Sequence, residues 1–138
     1  MNKYRKLGIL LAVGLLLIGS FIVYQNRIRL EQMRATTYEG QLPCADCSGL
    51  KTELTLYRQN NTYYLRETYV ATRDGDKTFT TTGKWKTARL RGRQVIQLNY
   101  DRPEEIYNFL IVDDQHLRVV DRHGEITTSP FNMTLTRK

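Results

Sequence analysis

Cys44 and Cys47 are the only cysteines in the chain, and two residues separate them. They lie in Leu42-Pro43-Cys44-Ala45-Asp46-Cys47-Ser48-Gly49. Three chemistries suit such a pair. A redox dithiol of the thioredoxin kind opens a helix, whose N-terminus lowers the thiol pKa. Here Pro43 precedes the pair, Ser48-Gly49 follows it, and no helical period surrounds it. A soft-metal site is the second: two thiolates at Cys44 and Cys47 grip Cu(I), or supply half of a zinc site. No second Cys pair completes a Cys₄ zinc site, whereas a two-thiolate Cu(I) site needs no more ligands but does need reduced thiols. The third is a Cys44–Cys47 disulfide that stiffens the loop between the first two strands of an exported domain. Closing so short a loop removes little chain entropy. The spacing alone leaves metal and disulfide open.

Other reactive side chains have plainer readings. His116 and His123 are the only histidines and stand at the two ends of one short strand, without the i, i+4 helical spacing of a metalloenzyme pair. Both read as turn or strand-edge residues. Asp113-Asp114 reads as a hairpin tip. Lys84, Lys86, Arg89, Arg91 and Arg93 surround Trp85, a combination that could contact nucleic acid or anionic lipid. The simpler reading is a solvated hairpin whose Trp faces the core. The sequence shows no Gly-rich phosphate loop and no Gly-x-Ser-x-Gly, and Ser48 has no arguable His–Asp partners. The expectation is a non-enzymatic protein.

The elements that must position these residues are strands. From Tyr38 onward, short β-prone runs alternate with turn residues. The runs are Tyr38–Leu42, Thr52–Tyr57, Thr62–Val70, Phe79–Trp85, Gln94–Tyr100, Glu105–Val112, His116–Val120 and Phe131–Thr136. On the third, Tyr63, Leu65 and Tyr69 share one side. Gln59-Asn60-Asn61, Asp74-Gly75-Asp76, Asp101-Arg102-Pro103 and Asp121-Arg122-His123-Gly124 punctuate them. About eight strands joined by sequential hairpins predict an all-β fold, an up-and-down barrel that leaves no sheet edge. A Greek-key sandwich fits less well, because no long crossover is visible.

Leu7–Tyr24 carries no charge over 18 residues, near the short end of the roughly 17–25 that span a bilayer. Tyr4 and Tyr24 sit where aromatic rings prefer the interface. Lys3, Arg5 and Lys6 precede the run, while Arg27, Arg29 and Arg34 follow it. With the α-amine, the N-terminal side is the more positive, which places residues 1–6 in the cytoplasm and the remainder outside. A cleaved signal peptide is the alternative. Ser20 is its best cleavage site, yet a cut there leaves Phe21-Ile22-Val23-Tyr24 at the new terminus. The expected organisation is a cytoplasmic segment 1–6, a transmembrane anchor 7–24, a tether 25–37 that is polar or continues the helix, and a β-barrel domain 38–138. The formal net charge of +7 divides unevenly along this plan. Residues 1–35 hold six basic side chains against Glu31 alone, and residues 36–138 hold 15 basic against 13 acidic. A domain at only +2 has no broad footprint for nucleic acid, so none is expected as a partner.

Assembled in order, the motifs resemble a known family. Tyr38-x-Gly40-x-Leu42-Pro43-Cys44-Ala45-Asp46-Cys47-Ser48-Gly49-Leu50 is similar to the opening of the N-terminal domain of the NlpE (CutF) envelope proteins. Leu54-x-Leu56, Thr62-Tyr63-x-Leu65, Gly83-x-Trp85, Leu117 before Asp121-Arg122-x-Gly124, and Phe131-Asn132-x-Thr134-Leu135 follow at the family's spacing. The resemblance covers Tyr38 to Thr136. It implies a small lipocalin-like barrel in the cell envelope, tied to copper homeostasis, surface sensing and the Cpx envelope-stress response. Cys44 and Cys47 match the family's Cys-x-x-Cys, the pair proposed there as a metal or redox site. Members are acylated on a signal-sequence cysteine and carry a second, C-terminal domain. This chain has no cysteine before Cys44, so a bilayer helix is expected to replace the lipid. That places a single-pass protein in a bacterial inner membrane with its barrel in the periplasm, facing an envelope sensor or other envelope proteins. Two rival roles fit the same fold: a binding module holding a small apolar ligand, and an interaction subunit of an envelope complex.

Overall fold

The computed structural model describes residues 2–33 and 35–138, with side chains described at 2–4, 8–28 and 35–138. They form two separate compact units, a helix and a barrel.

Helix α1 runs Asn2–Met33, 32 residues, or about 48 Å at 1.5 Å per residue. Its stretch Asn2–Ile28 has a mean hydropathy of 2.6 over its most apolar window and is long and apolar enough to cross a membrane. Leu10, Leu15, Leu16, Leu17, Phe21 and Ile22 are all exposed, so no protein core accounts for them. Ser20 donates its hydroxyl back to the Leu16 carbonyl at 2.8 Å, which satisfies the hydroxyl within the helix. The helix also takes up most of the segment read as a tether. Residues 25–33 contain no Gly or Pro and are rich in Gln, Arg, Leu and Met, all good helix formers. Arg34, named among the basic flanks, lies outside the described residues, as does Met1.

The barrel is built from β1 (Ala35–Leu42), β2 (Gly49–Tyr57), β3 (Thr62–Thr72), β4 (Gly75–Leu90), β5 (Arg93–Leu98), β6 (Tyr107–Ile111), β7 (His116–Val120) and β8 (Thr134–Arg137). Each strand pairs antiparallel with the next, and β8 returns to β1, closing the ring. The all-β up-and-down barrel read from the pattern is therefore the fold. The closing seam is short, Tyr38 opposite Arg137 and Glu39 opposite Thr136. A single 3₁₀ turn, Pro103–Glu105, lies between β5 and β6.

Several strand limits differ from the pattern. β1 begins at Ala35 rather than Tyr38, because Thr36 continues the inward alternation and is buried. β4 runs from Gly75 to Leu90 rather than Phe79 to Trp85, and turns at Arg91-Gly92, both with positive φ. That two-residue turn matches the twist of its strands; Arg in place of Asn or Asp hid it. β5 stops at Leu98 because Asn99 takes a positive φ. β6 begins at Tyr107, after the 3₁₀ turn has used Glu105. β8 is only Thr134–Arg137, preceded by the exposed Phe131.

Alternate residues of every strand fill the interior. Leu54, Leu98, Phe109, Leu117 and Leu135 are fully enclosed at its centre, with Tyr38, Leu42, Leu56, Tyr63, Leu65, Trp85 and Ile96 around them. Trp85 is 9% exposed, and its indole N–H donates to the Tyr57 carbonyl at 3.2 Å. A second, smaller cluster lies on the outer face: Val95, Leu110 and Val120, with Ala88 and Leu90 against them. The connection from β7 to β8 folds back over this face. Its Gly124 sits so close to Leu90 that an added Cβ would lie 2.7 Å from the leucine Cβ. Arg93 donates to the Gly124 carbonyl at 2.9 Å, and Arg91 pairs with Glu125 at 2.7 Å.

One part of the ring stays open. β4 pairs with β3 from Gly75 to Lys84, but with β5 only from Trp85 onward. The other edge of Gly75–Lys84 has no strand partner among the described residues.

Candidate functional site

The connections β1–β2, β3–β4, β5–β6 and β7–β8 share one end of the barrel, and β1 begins at the other. The Cys loop is therefore at the end remote from the start of β1. Both sides of the loop are fixed. Leu42 plugs into the core, and the Ser48 N–H donates to the Val70 carbonyl of β3 at 2.9 Å. Gly49 is buried beneath the exposed Gln41 side chain, whose amide end would have to move aside for a Cβ. Between these fixed points Pro43, Ala45, Asp46 and Ser48 are exposed.

Cys44 and Cys47 are joined as a disulfide, with Cα atoms 5.3 Å apart. The half-buried Cys47 Sγ lies 3.2 Å from the Gly49 carbonyl oxygen. In the disulfide this is a contact; a reduced thiol could donate a hydrogen bond there. The bridge borders a groove of about 380 Å³ whose opposite wall is the β3–β4 turn, with Tyr69, Thr72, Arg73, Asp74, Lys77 and Phe79. That turn is built rigidly. Asp76 accepts from the Ala71 N–H at 2.8 Å, Thr72 bonds the Gly75 carbonyl, and Lys77 pairs with Asp74 at 2.9 Å. Arg73 forms no ion pair among the described residues. Phe79 stacks edge-on against Tyr69, centroids 5.7 Å apart. The groove's two basic side chains, Arg73 and Lys77, are matched by two acidic ones, Asp46 and Asp74, so its formal charges balance.

The remaining residues singled out in the sequence do not join this groove. His116 lies at the opposite end, as the first residue of β7, where its Nδ1 is 2.9 Å from both Asp113 oxygens. That contact, with the Gln115 N–H, holds the Asp113 carboxyl below its usual range. His123 sits in the tight turn after β7, where its N–H and that of Glu125 bond the Asp121 side chain. The basic cluster disperses over the β4–β5 hairpin. Lys86 stands over the Tyr100 ring at 4.8 Å, Lys84 lies 4.0 Å from Asp101, and Arg91 and Arg93 hold the β7–β8 connection. Trp85 faces the core, as expected. No group of three or more His, Cys, Asp or Glu able to hold a metal occurs among the described residues.

Two features were not anticipated. Glu67 occupies an inward position of β3, opposite Thr52 and Phe79. Burial pushes its carboxyl above the ordinary value. Tyr107 is raised too, first by its own burial and then by the charge of Glu67. The signal was in the alternation, because Glu67 falls between Leu65 and Tyr69 on the same face. The second feature is a recess of about 470 Å³ at the end where β1 begins, lined by Tyr38, Leu56, Trp85 and Ile96 and by the charged Arg58, Arg137, Asp113 and Asp114.

Fold and loop together define a class: a closed eight-stranded antiparallel meander bearing one Cys-x-x-Cys loop at the end remote from the start of β1, with an apolar helix before it in the sequence. The chain belongs to the NlpE N-terminal domain family, whose family model matches residues 38–130. It is 34% identical over 99 residues to Lipoprotein NlpE of Escherichia coli (strain K12), an alignment covering 72% of this chain and 39% of that protein. The chain thus spans about two fifths of the length of that relative. In structure it is similar to a crystallised candidate lipoprotein from Shewanella oneidensis, with a TM-score of 0.57 and 30% identity over 74% of this chain and 85% of that one. The resemblance read from the Cys loop and the spaced landmarks after it is borne out.

Proposed function

We propose that this is a membrane-anchored periplasmic domain of copper homeostasis and envelope-stress response, in which Cys44 and Cys47 form a thiol–disulfide switch that takes up Cu(I) when reduced. The observation that carries this reading is the placement of the pair. The bridge is half-buried, borders a groove lined by Arg73 and Lys77 with Asp46 and Asp74, and joins two residues only three apart in sequence. Closing a loop of that size stabilises a fold by about 2 kcal/mol, against nearly 5 for a 100-residue loop. A staple so weak is a poor reason to place a bridge there, whereas a switch needs an accessible pair. Reduction by a dithiol protein of the envelope breaks the S–S bond; the donor gives two electrons and two protons and becomes a disulfide itself. Cu(I) then displaces both thiol protons, and two soft thiolates complete its coordination. Helix α1 would hold the barrel at the inner membrane, and an envelope sensor would read the change in the loop.

The test is an anaerobic competition titration against a colorimetric Cu(I) chelator, with the full chain in detergent. The reduced chain should bind one Cu(I), the oxidised chain none. Cys44→Ser or Cys47→Ser should abolish binding, while His116→Ala and His123→Ala should not change it. Unchanged affinity in the double Cys→Ser variant, or no binding by the reduced chain, refutes the reading.

A second reading rests on the 470 Å³ recess, which is of small-ligand size. An apolar fluorescent probe that binds there should quench Trp85 and be displaced by the ligand. Trp85 emission unmoved by saturating probe argues against it.

A further inference from the structure

The open edge of β4 bears on assembly. Residues Gly75–Thr82 are exposed throughout. Which backbone groups face the open side follows from the ladder. The Trp85 N–H donates toward β3, to Asn61, while the Lys84 carbonyl accepts from Asn99 on the β5 side. Backbone polar groups alternate sides along an antiparallel strand, so the N–H and C=O of Thr78, Thr80 and Thr82 point out from the edge. The run contains no proline, and the register shift beside it lies in β3, between Tyr69 and Thr72, not in β4. Lys77 is an inward-pointing charge of the kind that guards an edge, but Asp74 pairs with it at 2.9 Å. Phe79, on that same inner face, is 57% exposed.

The sequence of this edge is complementary to itself. Pair it antiparallel with a second copy about an axis through Thr80. Thr78 then faces Thr82 of the other copy, and Asp76 faces Lys84, on both sides of the axis. Thr–Thr and opposite-charge pairs directly across an antiparallel ladder are both stabilising. Asp76 uses Oδ1 for the Ala71 N–H, and Lys84 holds Asp101 only at 4.0 Å, so both can turn to a new partner. On the inner face Phe79 meets Thr81, which covers the exposed ring.

We propose that two copies of this chain join along Gly75–Lys84 of β4, in antiparallel register centred on Thr80, making one continuous sheet across two barrels. The occupant is a second copy because Asp76 and Lys84 stand equally far from Thr80, so the edge complements its own charges in this register.

The experiment uses the full chain in detergent, its native disulfide oxidised, with a short bismaleimide as crosslinker. Thr80→Cys should crosslink to itself, since residues on the axis lie about 5.5 Å apart. A mixture of Thr78→Cys and Thr82→Cys chains should crosslink to each other. Thr78→Cys alone should not, its two copies being about 14 Å apart. Lys84→Glu should weaken the dimer about tenfold by setting Glu against Asp twice; adding Asp76→Lys should restore it. Thr80→Pro should abolish the dimer and leave Trp85 emission unchanged, because it removes an N–H that serves no bond to β3. A chain that stays monomeric by light scattering at the crosslinking concentration overturns the proposal. So does crosslinking at Thr78→Cys alone as strong as at Thr80→Cys, or a charge reversal that the second reversal fails to rescue.

Discussion

Gly83→Ala should cost this barrel more than one methyl group ordinarily does. Gly83 lies on the inner face of β4, opposite Tyr63. Its φ is not in the left-handed region, so the reason for glycine is space. A Cβ there would collide with Asn99 Oδ1 and lie 2.9 Å from Tyr63 Cε1 and 3.2 Å from the Tyr63 hydroxyl. Both neighbours are buried, and they are bonded to each other, Tyr63 hydroxyl to Asn99 Oδ1 at 3.0 Å. The amide of Asn99 must swing aside, which breaks that bond and weakens its reach to the Glu105 carbonyl at 3.4 Å. Overpacking costs roughly 1–3 kcal/mol, and a buried hydroxyl left unpaired roughly 1–3 more. The reduced freedom of the unfolded chain returns about 0.4–1. The net loss expected is about 1–5 kcal/mol. The assay is urea unfolding followed by the fluorescence of Trp85, the only tryptophan, so the signal reports the barrel alone. The cause is checked in an Asn99→Gly background, which keeps the positive φ of Asn99 and removes the obstructing amide. There the added cost of Gly83→Ala should shrink by more than half. A loss below about 0.5 kcal/mol for Gly83→Ala, the ordinary range for a surface change, refutes the reasoning. Equal costs in the two backgrounds do so as well.

Trp85→Ala should destabilise the barrel by roughly 3–5 kcal/mol, and the native indole should resist a water-soluble quencher; full quenching contradicts its placement. Glu67 has its pKa raised by burial, so its contribution is complete below the unfolded pKa and is lost as pH rises through the folded one. Glu67→Gln should therefore unfold at higher urea than the unsubstituted chain at pH 8, with the gap closing toward pH 4; a gap that widens on acidification refutes this. The full chain should stay in the membrane fraction after alkaline extraction and keep its N-terminus, whereas soluble protein beginning near Phe21 would reveal a cleaved signal.

The fold was legible wherever alternation was clean. Leu54 and Leu56, Ile96 and Leu98, and the close spacing of turns were enough to reveal eight sequential strands. Legibility failed where a turn used unusual residues, as at Arg91-Gly92. It failed too where a strand carried few apolar residues, as along Gly75–Thr82, whose outer edge has no strand partner among the described residues. Of the candidate site, the Cys pair was visible because it is local. Its surroundings were not, because Arg73, Lys77 and Phe79 reach the groove only through the β2–β3–β4 register. Glu67 was legible in principle: it continues the inward series of Tyr63, Leu65 and Tyr69, but a charge at a core position is easily passed over.

The seam between β1 and β8 sets an order of events for the nascent protein. Tyr38 and Arg137 must find each other across about a hundred residues, the longest closure in the barrel. The entropy of closing a loop grows with its length, while the hairpins from β1 to β7 are each local and quick to form. The meander should therefore accumulate first, as a curled sheet with β1 and β7 as raw edges. It becomes a ring only once β8 has been delivered to the compartment where folding takes place. Until then the Cys loop, at the far end of β1, is already formed and open to any oxidant it meets.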